Sequence, residues 1–152
     1  MRALAVPLAV GAMVSAAHGE VMEMDRNALY VTDPRACELL ETSPVNEAFS
    51  AVDFTAFSFA EGFFAPGFDC AVMQVLDHPD AVGAYLSVLC DTPVLIYPDQ
   101  LAVYPVGETT IQIYSSYEAT MVHSGVYGWS SIHPAGVTEY HRCENLSELP
   151  LD

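Results

Sequence analysis

Histidine, cysteine and methionine are the side chains here that could ligate a metal or attack a substrate, with five, four and six copies. The most specific grouping lies near the start of the chain. If the leader is cut after Ala17, His18 offers an amino-terminal nitrogen and a ring nitrogen, with Met22 and Met24 a few residues on. Imidazole prefers Cu(II) and thioether prefers Cu(I), so this grouping suits copper. A second metal reading, for copper or zinc, uses the histidines of the last third, His123, His133 and His141. His123 and His133 flank the single tryptophan, Trp129, and His78 falls in a turn. A small-hydrolase reading would need Ser130 or Ser131 with a histidine and an acid, and it rests on adjacency alone. No H-E-x-x-H, G-x-S-x-G, C-x-x-C-H or EF-hand pattern occurs. The chain has no lysine, which removes Schiff-base chemistry, Ser–Lys dyads and the phosphate-gripping lysine of a P-loop. The expectation is therefore a non-catalytic protein with no cofactor, copper or zinc being the alternative.

The four cysteines, Cys37, Cys70, Cys90 and Cys143, are even in number and have no C-x-x-C pair, which favours two disulfides over a metal site. The stretch Cys70–Cys90 reads as a β-hairpin about a turn centred on Asp80. An antiparallel register then pairs Leu76 with Ala84, Gln74 with Leu86, Val72 with Val88 and Cys70 with Cys90. Opposed strand residues have Cα atoms about 4.5 to 5.5 Å apart, a span that a disulfide accepts. Cys37 and Cys143 remain to tie the ends of the domain together.

Residues 1–19 have a basic start at Arg2, an apolar run and then small residues, the pattern of a secretory signal peptide. The apolar run is about a dozen residues, short of the roughly 20 that span a membrane. The expected organisation is a leader at 1–19 and a single β-rich domain over 20–152 with flexible ends. The expected location is the periplasm or the extracellular space, with no membrane attachment once the leader is removed.

Charge is the dominant compositional signal. All 20 acidic residues follow the leader, against Arg26, Arg35 and Arg142, a balance of −17. Nucleic acid and anionic membranes bind through Lys and Arg, so this surface repels both. A cationic protein is the expected partner. In size, export, acidity and disulfide-braced β structure the chain is generically similar to periplasmic inhibitors of cationic wall-degrading enzymes, a similarity that covers no motif. An inhibitor-like module needs aromatic anchors, and Tyr114, Tyr117, Tyr127 and Trp129 are the candidates.

The elements that must position these residues are mostly strands. Asn27–Thr32 alternates as a first strand, ended by Asp33-Pro34, and Ser43-Pro44 opens one short helix carrying Val45, Phe49 and Val52. All seven phenylalanines lie from Phe49 to Phe68 and all eight tyrosines outside that interval, which locates the core and, as a second reading, an apolar pocket. Phe57 and Phe59 face Phe63 and Phe64 across a turn at Glu61-Gly62. Strands at Val94–Tyr97, Leu101–Tyr104 and Thr109–Tyr114 are separated by Pro98-Asp99 and Pro105-Val106-Gly107, and Val137–Cys143 is the last strand. The region from Tyr117 to Pro134 has no clear period. The expected fold is all-β with one short N-terminal helix, an antiparallel sandwich or small barrel braced by two disulfides, with the sandwich favoured.

Overall fold

A computed structural model of the chain describes residues 24–77, 82–126 and 136–150. Among these residues eight antiparallel strands follow one another in chain order: β1 (Tyr30–Val31), β2 (Ala56–Ser58), β3 (Gly62–Ala65), β4 (Phe68–Asp77), β5 (Ala84–Asp91), β6 (Ile96–Pro105), β7 (Thr110–Ser115) and β8 (Val137–Arg142). β1 pairs with both β2 and β8, so the sheet closes into a barrel and not the favoured sandwich. The closing seam is short, with Tyr30 opposite Arg142 and Val31 opposite His141. It is reinforced where Cys143 N–H donates to Leu29 O (2.8 Å), Leu29 N–H donates to Leu146 O (2.8 Å), and the Cys37–Cys143 disulfide clasps the same place.

The alternation of each strand sorts side chains into the lumen or onto the outer wall. Inside lie Tyr30, Phe57, Phe63, Cys70, Leu86, Val88, Cys90, Leu101, Val103, Ile111, Ile113 and Tyr140, which form one core. A second core lies outside the wall, where α1 (Arg35–Thr42) and α2 (Val45–Ala51) present Ala36, Leu40 and Ala48 to Val31, Phe54, Ala56 and Cys143. The phenylalanine run serves both cores, Phe57 and Phe63 within the barrel and Phe54 stacked on Phe49 beneath the helices.

Both disulfides form as expected, Cys70 with Cys90 and Cys37 with Cys143. The hairpin register holds at Cys70–Cys90 and Val72–Val88, but a bulge at Met73 then shifts it, so that Gln74 faces Ser87 and Leu76 faces Tyr85. One extra residue on β4 opposes none on β5, and every later pair moves by one. The β2–β3 hairpin turns at Gly62, whose φ of +98° and closeness to the Cys70 carbonyl exclude a side chain.

Two further expectations are corrected. Pro98-Asp99 does not break a strand, because β6 runs through it. β7 ends opposite Leu101, so residues 96–100 have a strand partner only on the β5 side, where the missing N–H of Pro98 is tolerated. The single N-terminal helix is in fact two, with α1 ahead of the expected one, and a third, α3 (Ser116–His123), follows β7. Among the described residues no helix is long and apolar enough to cross a membrane. Two disulfides fit oxidising, extracellular surroundings.

Candidate functional site

The two poles of the barrel differ in what fills them. At one, the chain ahead of β1 folds under the strands and places Met24 and Ala28 in the core, joined there by Phe59 from the turn after β2. The Tyr30 hydroxyl ties that segment down by donating to Asp25 O (2.8 Å). Arg26 lies 5.6 Å over the Phe59 ring and pairs with Asp77, completing a plug.

At the other pole a cavity of about 120 Å³ enters the lumen. Part of its wall is apolar or aromatic, with Phe63, Phe68, Val88, Leu101, Ile113 and the Cys70–Cys90 disulfide. Its polar wall carries Asp99, Ser115, Glu118, Tyr140 and three threonines, Thr32, Thr55 and Thr138. Among the described residues that line it there is no cationic side chain.

Asp99 organises this wall. It is only 6% exposed although it is a carboxylate. Four donors satisfy it: Ser115 Oγ (2.5 Å), Ser116 Oγ (2.8 Å), and the backbone N–H groups of Tyr117 (2.9 Å) and Gln100 (2.7 Å). Three of these reach Oδ1, and the Ser115 hydroxyl reaches Oδ2. Ser115 in turn caps α3, its Oγ accepting from Glu118 N–H (3.0 Å). An anion is thus held at the positive end of α3 by a residue from β6.

The first turn of α3 carries Glu118 to the rim. Its outer side remains in solvent while its inner side lines the cavity. Loss of water on that inner side, and then the charge of Asp99, raise the Glu118 pKa. Tyr140 stands deeper and is 5% exposed. Burial first, and then the Glu118 charge, push its pKa up, so its hydroxyl keeps its proton. That hydroxyl has no hydrogen-bond partner among the described residues, and the residue lines the cavity. Tyr97 lines the mouth and stacks on Tyr117 at 3.9 Å between ring centroids.

The expected site residues are not gathered in one place. Tyr117 stands at this pole, whereas Tyr114 points out of the barrel wall opposite Ala102 and Val137. Tyr127 and Trp129 lie outside the described residues, as do His18, Met22, His78 and His133 and the serines Ser130 and Ser131. Met24 is buried in the plug, where it acts as packing. His123 ends α3, and His141 sits on β8 with Glu139 3.7 Å away. Among the described residues no group of three or more His, Cys, Asp or Glu side chains is placed to hold a metal ion.

Asp99 and Glu118 were not singled out by the sequence reading. Ser115 and Glu118 have the S-x-x-E spacing of a capping box, which marks the start of α3 and was available in the sequence. Asp99 had no such signal, because three of its four donors come from 16 to 18 residues away. Comparison of the chain with protein-family models, curated proteins and solved structures finds no match.

Proposed function

We propose that this is a non-catalytic binding protein that captures a cationic partner at the open pole of its barrel. The observation that carries the reading is a cavity wall with two carboxylates and, among the described residues, no cation. Elsewhere Arg26 is engaged by Asp77 and Arg35 by Asp33, so neither balances that charge. The acidic surface supports the same reading, because an excess of one sign speeds encounter with a basic surface. The leader at residues 1–19 would deliver the chain to a periplasmic or extracellular space, where basic wall-degrading enzymes are suitable partners.

The test is retention of a basic, lysozyme-like protein on the immobilised chain across a salt series. Specific capture persists above about 0.15 M salt, where the Debye length is near 8 Å. At fixed ionic strength Glu118→Gln should speed dissociation, whereas a remote change such as Glu47→Gln should only slow association. Loss of all retention by about 0.15 M salt would reduce the attraction to unspecific charge and overturn the reading.

A further inference from the structure

We infer that the open-pole cavity is a receptor for a primary ammonium group on an unbranched chain of about four carbons, the chemistry shared by a free alkylamine and a lysine side chain. The inference rests on the proposed cation-binding function and names what enters the barrel. Three independent features point to it.

Size is the first. The cavity is about 120 Å³. An apolar protein cavity of about 150 Å³ admits benzene, so this one fits a few carbons and a head group but no folded segment.

Polarity is the second. The wall includes three aromatic rings, Phe63, Phe68 and Tyr97. Such faces attract a cation and accept methylene groups. Tyr140 is only 5% exposed and lines the cavity, and its protonated hydroxyl makes no hydrogen bond among the described residues, so it can accept one N–H of an entering group.

Acceptor geometry is the third, and at the inner carboxylate, Asp99, it favours ammonium over guanidinium. A guanidinium binds best to two free oxygens of one carboxylate. Both oxygens of Asp99 already accept donors, with three on Oδ1. Asp99 Oδ2, with one donor, retains a lone pair, which suits the point charge of an ammonium. Glu118, at the rim, supplies the second carboxylate.

The test is titration of the folded, disulfide-bonded protein with n-butylammonium, read by amide NMR. Saturable shifts at Gln100, Tyr117 and Glu118 are expected, with a dissociation constant of about 1 mM. Butanol, butyrate and methylguanidinium should bind at least about tenfold more weakly, since each lacks the charge or the shape. Glu118→Gln should weaken butylammonium about tenfold, and Tyr140→Phe, which leaves the ring in place, by a few-fold. Binding of Nα-acetyl-lysine methylamide at the same amides would identify a partner's lysine as a source. Binding of butylammonium alone would identify a free amine, and either result supports the receptor. Equal binding of butanol, tighter binding of methylguanidinium or shifts away from this pole would overturn it. If a basic protein is retained at about 0.15 M salt while butylammonium fails to bind, the inference falls and the wider reading stands. If neither binds, both fall.

Discussion

The two poles of the barrel are made by the same eight strands, yet one is closed by apolar side chains and the other keeps a cavity whose wall is part apolar and part polar. At the plugged pole Met24, Ala28 and Phe59 close the lumen, and the Arg26–Asp77 pair lies outside them, in contact with water. At the open pole the cavity wall carries hydroxyls, the buried carboxylate of Asp99 and the rim carboxylate of Glu118. Filling a lumen with apolar side chains stabilises a fold, while a polar-lined hollow forgoes that packing. It is the hollow at the open pole, with its two carboxylates, on which the proposed function rests.

The largest effects test the frame that both poles share. Replacing Cys37 and Cys143 together by serine opens a closure of 106 residues and should cost about 4 to 5 kcal/mol by chain entropy. The same change at Cys70 and Cys90, 20 residues apart, should cost about 3 kcal/mol. Urea unfolding of the two double variants gives the order, and the reverse order would show that the seam between β1 and β8 holds without its clasp.

The next effect compares the poles directly. Met24→Ala should lose about 2 to 3 kcal/mol, because a buried side chain is removed from a packed plug. Tyr140→Phe should change stability by less than about 1 kcal/mol, since its hydroxyl gives up no internal hydrogen bond. Equal losses in denaturant melts would mean that the open pole is packed as the plugged one is.

A smaller effect follows from pH. The pKa of Glu118 is raised above its ordinary 4.5 in the folded state, with Asp99 on β6 and Tyr140 on β8 facing it. The folded state therefore binds this proton more readily than the unfolded one. Stability from this source is present below pH 4.5 and is lost as pH rises through the raised value. Glu118→Gln should flatten that part of a melting-temperature profile, and an unchanged slope would show that Glu118 is not drawn toward the cavity.

The smallest effect is at the outer surface. Arg35 holds the Asp33 carboxyl down to about 2, so any stabilisation from the pair is lost only as pH falls through that value. Both groups are solvated, so Arg35→Ala should leave the thermal midpoint at pH 7 unmoved. A clear drop would show that the start of α1 depends on this pair.

Local chemistry was legible in the amino-acid sequence. Strand alternation gave the strands, the β2–β3 turn needs the positive φ of Gly62, and the mirror spacing about the 70–90 hairpin gave its disulfide, leaving Cys37 for Cys143. Each depends on residues close in sequence or on counting. The bulge at Met73 was not legible, since an extra residue in a strand leaves the composition of both strands unchanged. Closure was not legible either. A sandwich and a barrel share one alternation, and the choice here turns on two residue pairs between β1 and β8, over a hundred positions apart. The open pole was decided in the same way. Asp99 looked like half of a turn after Pro98 and became a buried anion because Ser115, Ser116 and Tyr117 reach it from the next strand and helix. A carboxylate's role depends on the donors and neighbouring charges that surround it, and those are set by the tertiary structure.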